Sequence, residues 1–185
     1  TEYQKDMLKN KLITPEGTRD LLFEDCMARR QVETRIKELF QNRGFSEVIT
    51  PGIEFYDVFS SEHHGIPPEK MYKLTDHKGR ILAVKPDLTM PIARMAATRL
   101  KGQTRPLQLY YDQNVYAVSP TLTGRSDETA QMGIEIIGVG GRRTDLEVLV
   151  LAIEALQSCG LTDFRLEIGH IGFFNTLIRR LNLSD

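Results

Sequence analysis

The stretch LQLYYDQNVYAVSPTLTGRSDETAQMGIEIIGV, residues 107–139, carries a dense strand signal. Its β-branched and aromatic residues come in short runs, which a polar loop separates. We predict three strands here, over residues 107–111, 114–119 and 129–139, with Gly140-Gly141 ending the last one. Strands that follow one another without intervening helices are typical of an antiparallel sheet.

Helical patterns flank this stretch on both sides. Apolar residues at helical spacing predict helices over residues 24–42, 88–100, 144–158 and 172–181. Gly44 is a suitable end for the first helix. The third helix is apolar on most sides, so we expect it to be largely buried.

Shorter elements complete the pattern. A strand is predicted over residues 45–49, a short helix over 55–60, a hairpin over 71–75 and 80–84, and a further strand over 164–168. The fold class is therefore α+β, with a mainly antiparallel sheet flanked by helices. We expect residues 1–13 to be an N-terminal arm and residues 14–185 to be the N-terminal part of one larger domain, truncated at its C-terminus.

The composition excludes several classes of function. The 24 basic and 25 acidic residues nearly cancel, which argues against a broad cationic face for nucleic acid. Neither the two cysteines nor the four histidines show metal-ligand spacing. No apolar run could span a bilayer, and no glycine-rich nucleotide-binding motif is present. We expect a cytoplasmic protein without a metal or cofactor.

Asp87 and Thr89 stand where a predicted strand passes into a predicted helix. The unpaired backbone N–H groups there favour a capping role for one of them. The alternative is that Asp87 faces a pocket and pairs with the ammonium group of an amino acid, with Thr89 accepting from the same group.

Gln131 and Glu135 are four residues apart in a predicted strand, so both face the same side, while Met132, Ile134 and Ile136 face the other. An amide and a carboxylate on one face could accept from the two nitrogens of an imidazole. A solvated sheet face is the alternative interpretation.

Arg125 follows Gly124 in the polar loop. It could bind a phosphate or a carboxylate, although a solvated arginine is the commoner case.

Taken together, four segments resemble the catalytic domain of histidyl-tRNA synthetase, a class II synthetase. PEGTRDLL (15–22) resembles the N-terminal turn of that family, and GFSEVITP (44–51) resembles class II motif 1. KPDLT (85–89) resembles the family's RPEGT segment, and residues 114–135 resemble motif 2 with its following strand. The resemblance implies that Asp87, Thr89, Gln131 and Glu135 line a histidine pocket, and that Arg125 meets a phosphate.

One departure from the family pattern concerns catalysis. Motif 2 of the synthetases carries Arg-x-Glu, whose arginine supports the charge that develops during adenylation. Aligned on Gly124-Arg125 and on residues 131–135, those two positions hold Ala117 and Ser119. Loss of a preorganised donor of this kind costs on the order of 10²–10³ in rate, so we expect no amino-acid activation.

A lost catalytic arginine beside a retained amino-acid pocket is similar to the regulatory subunits of two-component ATP phosphoribosyltransferase. That resemblance implies a homodimer within a hetero-oligomer, a short-form catalytic subunit as partner, and feedback inhibition by L-histidine in histidine biosynthesis. The histidine could bind either in the old synthetase pocket or at a contact between subunits. An active histidyl-tRNA synthetase and a pseudo-synthetase that senses tRNA are the two alternatives.

Overall fold

A computed structural model describes residues 12–60, 66–119 and 126–181. The described part of the chain forms helices and strands in separate groups, as the α+β prediction requires. The helices are α1 (Phe23–Asn42), α2 (Thr89–Thr98), α3 (Arg142–Ser158) and α4 (Ile171–Leu181). The strands are β1 (Ser46–Glu47), β2 (Ile53–Phe55), β3 (Lys73–Thr75), β4 (Ile81–Val84), β5 (Leu107–Tyr116) and β6 (Glu128–Ile137).

The strands make two sheets of three. The larger sheet has the order β1-β5-β6, and the smaller has the order β2-β4-β3. β5 and β6 pair antiparallel along their whole length, from Leu107 opposite Ile137 to Tyr116 opposite Glu128. Only β1 pairs in parallel, with β5. The prediction of a mainly antiparallel sheet is confirmed.

The larger sheet is the middle layer of the molecule, because the side chains of β5 alternate between its two faces. On one face, Leu109 and Tyr111 of β5 pack against Leu88 and Ile92. Leu88 directly precedes α2, and Ile92 lies within it. A ligand site on this face would therefore lie beside the start of α2.

The opposite face of the larger sheet is covered by α1 and α3. Tyr110 is fully buried there and packs with Phe40, Phe45 and Leu151. Gly44, with a φ of +85°, ends α1 as predicted and lets the N–H of Phe45 donate back to the carbonyl of Phe40.

Lys85 joins the two sheets at the end of β4. Its N–H donates to the carbonyl of Gly52 over 3.0 Å, and its carbonyl accepts from the N–H of Tyr116 over 2.9 Å. The start of α2, four residues further on, is thereby held near the end of β5.

The predicted strands over residues 107–111 and 114–119 are one strand, β5. The two polar residues between them, Asp112 and Gln113, suggested a break. In the structure Asp112 binds Lys37 over 2.9 Å, and Gln113 accepts from Lys85. Side chains remote in sequence satisfy both groups, so the strand continues through them.

The short helix predicted over residues 55–60 is confirmed in part, as a 3-10 helix over Tyr56–Val58 that follows β2. Two further expectations were wrong. Residues 164–168 form no strand, since no described strand lies beside them to supply hydrogen bonds. α3 is not largely buried: Leu151 is buried, but Leu146 and Val150 are exposed, because one side of the helix packs on α1.

No helix in residues 12–60, 66–119 and 126–181 combines the length and the apolar character that a membrane crossing needs.

Candidate functional site

Tyr111 and Gly133 form the floor of a site on the α2 side of the larger sheet. They lie directly opposite each other in β5 and β6, and the tyrosine ring is 6% exposed. A Cβ on residue 133 would stand 2.7 Å from Cζ of Tyr111, well inside van der Waals contact. Glycine is therefore required where the phenol crosses β6.

The Tyr111 hydroxyl is a stable proton donor at the floor of this site. Burial raises the pKa of Tyr111 to about 12, and the nearby charges of Glu135 and Asp87 add to the effect. The phenol consequently stays protonated at neutral pH.

Gln131 and Glu135 flank Gly133 on the same face, as predicted. Gln131 lies opposite Gln113, and Glu135 lies opposite Leu109. Met132, Ile134 and Ile136 alternate to the other face, where the two isoleucines pack on the core beneath α1 and α3. Both polar residues are half-buried, and Oε1 of Gln131 is itself buried, which favours the interpretation as a ligand-facing surface over a solvated one.

The carboxyl group of Glu135 is in an environment that disfavours its charge. Burial raises the pKa of Glu135; the Thr89 side chain works in the opposite direction, and the charge of Asp87 raises the pKa further. Two carboxylates thus repel each other across this site. A cation placed between them would relieve that repulsion.

The turn at the start of α2 brings Asp87 and Thr89 to the same place. Oδ1 of Asp87 accepts from the backbone N–H of Thr89, the first residue of α2, over 2.5 Å, while the N-cap position itself is held by Leu88, which makes no side-chain cap hydrogen bond. Asp87 and Thr89 are also both close enough to affect the pKa of Glu135. The structure therefore brings Asp87, Thr89 and Glu135 together, and Gln131 lies four residues from Glu135 along the same face of β6, whereas Arg125 lies outside the described residues.

One acceptor in the site has no partner. The side-chain oxygen Oε1 of Gln131 is buried, and no described residue donates to it. A buried acceptor left unpaired costs about 1–3 kcal/mol, and a ligand N–H would remove that cost. An acceptor of this kind is suited to an ammonium group or an imidazole N–H.

Ala117 lies one residue beyond β5. Its N–H donates to the carbonyl of Asp127 over 2.9 Å, which extends the ladder and places its methyl group on the face of Tyr111. The backbone N–H of Ser119 donates to Oδ1 of Asp127 over 2.8 Å. Neither side chain offers a charge to this face.

A turn at residues 15–18, closed by the bond from the N–H of Thr18 to the carbonyl of Pro15, supports the start of β6. Gly17 has a φ of +77°, and its carbonyl accepts from the N–H of Asp127 over 2.7 Å and from Oγ of Ser126 over 2.9 Å. A Cβ on Gly17 would collide with the Asp127 side chain. The turn thus fixes the segment that faces Ala117.

An apolar groove of about 470 Å³ lies on the other face of β6. Val32 and Ile36 of α1 line one side, and Ala130 and Met132 of β6 line the other. The side chains of Ala130 and Met132 alternate with that of Gln131, so groove and polar site share one strand.

No three His, Cys, Asp or Glu side chains converge as metal ligands within the described ranges.

Sequence reasoning missed Tyr111 and Gly133 as parts of the site. The two residues could have been identified from their positions opposite each other on neighbouring strands. That pairing can be deduced only when β5 is recognised as one continuous strand. An aromatic side chain that covers a glycine on the neighbouring strand is a known way of fixing sheet register.

Replacing Gly133 with alanine is expected to displace the Tyr111 ring, because the ring is held by the core and cannot yield freely. Overpacking of this kind costs about 1–3 kcal/mol, measured as a loss in the free energy of unfolding. Gly140→Ala is the matched control, since a Cβ there meets nothing within 4 Å. Equal stability of the two variants would contradict the assigned contact.

The sequence profile of the histidyl-tRNA synthetase family matches residues 17–185. Among curated relatives, a Clostridium kluyveri protein named ATP phosphoribosyltransferase regulatory subunit is 46% identical over 170 residues, which are 92% of this chain and 44% of that protein. The chain spans less than half the length of the curated relatives it matches.

Two solved structures share this arrangement of elements. A Bacillus halodurans protein, described as an ATP phosphoribosyltransferase regulatory subunit/histidyl-tRNA synthetase, is 35% identical with a TM-score of 0.82 over 91% of this chain and 43% of its own. The apo histidyl-tRNA synthetase of S. aureus is 28% identical, with a TM-score of 0.66 over 79% of this chain and 39% of its own. The class II synthetase-like fold is confirmed.

Proposed function

The chain belongs to the histidyl-tRNA synthetase family, and from that premise we propose that it acts as the non-catalytic regulatory subunit of an ATP phosphoribosyltransferase. The catalytic partner would be a short-form subunit that carries out the first step of histidine biosynthesis. The names of the related proteins support this choice within the family.

The observation that carries the non-catalytic part is the methyl group of Ala117. It lies on the pocket face, beside the end of β5, where the family resemblance expects the arginine of motif 2. An alanine gives no donor to the charge that develops on an activated carboxylate. The one buried cation described on this side, Lys85, has its ammonium group next to Gln113 and Thr50.

The proposed effector is L-histidine, bound in the acceptor-rich pocket. Asp87 and Glu135 would share the positive charge of the ligand, and Oε1 of Gln131 would accept from one of its N–H groups. Thr89 stands beside both carboxylates. Arg125 is proposed to meet the ligand carboxylate or a phosphate.

Regulation follows if L-histidine binds two quaternary states unequally. A ligand shifts an equilibrium only by its difference in affinity for the two states, and a coupling free energy of about 1–3 kcal/mol is typical. We propose that the protein is a homodimer within a cytoplasmic hetero-oligomer, and that it does not bind nucleic acid. The nearly neutral net charge of −1 agrees with the last point.

The test is to mix the full-length protein with a short-form catalytic subunit and to follow phosphoribosyl-ATP formation. We expect activity to rise on mixing and to fall when L-histidine is added. An unchanged rate on mixing would reject the proposal. ATP–pyrophosphate exchange with histidine is the companion assay: exchange at synthetase rates would make this an active enzyme instead, and histidine-independent tRNA binding would favour a tRNA sensor.

A further inference from the structure

Lys85 is a buried cation directly behind the candidate pocket. The residue is 4% exposed; its Nζ donates to Oε1 of Gln113 and lies 3.5 Å from the carbonyl of Thr50. Burial lowers the pKa of Lys85, and the charge of Glu54 opposes this. A lysine buried this deeply is costly to retain, which suggests that its contacts have a role.

The main contact of Lys85 orients the side chain of Gln113. An amide has one acceptor oxygen and one donor nitrogen. The oxygen of Gln113 faces the ammonium group, so its nitrogen points away and donates to the carbonyl of Val48 over 3.4 Å. The oxygen and one N–H group of this amide are thus bonded outside the pocket.

Gln113 is also the direct cross-strand neighbour of Gln131. Opposite residues in an antiparallel pair have Cβ atoms about 4.5–5.5 Å apart, which is within the reach of two glutamine side chains. If the amide of Gln113 were free to turn, its nitrogen could donate to Oε1 of Gln131, the buried acceptor that has no partner among the described residues.

We propose that Lys85 is a positioning residue, which keeps Oε1 of Gln131 open to the ligand by holding the amide of Gln113 away from it. This inference rests on the proposed histidine pocket. It assigns Lys85 no contact with the ligand, only control over whether an acceptor in the pocket is available.

The test measures L-histidine affinity by calorimetry in the full-length protein. In Lys85→Met, we expect the Kd to rise about 10-fold or more, because an internal donor then competes for Gln131. In the double variant Lys85→Met/Gln113→Met the competing amide is absent, so the Kd should return to within about 3-fold of wild type. Lys101→Met, at an exposed lysine, is the matched control.

Recovery in the double variant separates positioning from a general structural role. A damaged pocket would stay weak when a second buried residue is changed, whereas a competing donor disappears with its own side chain. A single variant with wild-type affinity, or a double variant as weak as the single one, would overturn the proposal.

A second readout needs no ligand. In protein labelled with ¹⁵N-glutamine, the amide protons of Gln113 should show NOEs to Val48 in wild type and to the Gln131 side chain in Lys85→Met. NOEs to Gln131 in wild type would overturn the inference even if the variant does not fold. If wild type binds no histidine, the effector assignment fails, and these NOEs still decide the role of Lys85.

Discussion

Tyr110→Ala should lower the free energy of unfolding by about 3–5 kcal/mol, the range for removal of a large buried aromatic side chain. Tyr110 is fully buried, and its ring centroid lies 5.8 Å from that of Phe40. Its hydroxyl accepts from Gln41 over 2.8 Å and donates to Glu47 over 3.2 Å. The substitution removes the centre of the layer that joins β5 to α1, and urea unfolding followed by circular dichroism would measure it.

Two controls separate the ring of Tyr110 from its hydroxyl. Tyr110→Phe keeps the ring and should cost only about 1 kcal/mol. Phe174→Ala removes a ring that is exposed in α4 and should change stability by less than about 1 kcal/mol. If Tyr110→Ala were no more harmful than Phe174→Ala, the assigned core would be wrong.

Glu135→Ala should raise the Kd for L-histidine about 30-fold or more. Truncating one partner of a buried, hydrogen-bonded charge pair costs about 2–5 kcal/mol, and the carboxylate of Glu135 is the group placed to meet the ligand cation. Calorimetry on the full-length protein measures the effect. Glu167→Ala, at an exposed glutamate, should leave the Kd unchanged.

The pH dependence gives an independent check on Glu135. Burial raises the pKa of its carboxyl group in the free protein, while a cationic ligand binds the ionised form. Affinity should therefore fall as the pH is lowered through this raised pKa. Glu135→Gln should lose that component and keep only the titration of histidine itself; identical pH profiles for both proteins would contradict the assignment.

The polar face of β6 could be predicted from the sequence because strand alternation is a local rule. Gln131 and Glu135 differ by four residues, and any regular strand places them on one side. The position of Asp87 beside the first backbone N–H of α2 could likewise be predicted from the passage of strand into helix. Each of these inferences needs only neighbouring residues.

The continuity of β5 could not be predicted in this way. Asp112 and Gln113 read as a break unless Lys37 and Lys85 are known to meet them, and those partners lie far away in sequence. Because the sequence predicted two strands in place of β5, the register of β5 against β6 could not be deduced. The contact between Tyr111 and Gly133 could not be deduced for the same reason. What was missed is what depends on tertiary contacts.

The exposure of α3 and the absence of a strand at residues 164–168 have a related cause. Hydrophobicity and alternation indicate whether a segment could be buried or could form a strand. Actual burial or strand pairing also requires a second element beside that segment. Among the described residues one side of α3 meets such elements, at α1 and at Tyr110 of β5, and residues 164–168 have no described strand to pair with.

Alternate residues of β6 face two different surfaces. The number of residues inserted into or deleted from this strand is therefore constrained to be even. Deleting one residue within the strand would turn Met132 and Ile134 toward the carboxylate of Asp87 and drive Glu135 into the apolar layer beneath α1. Deleting two residues would shift the pocket along the sheet but keep acceptors on one side and hydrocarbon on the other. Length variation in this strand should therefore be tolerated only in even steps.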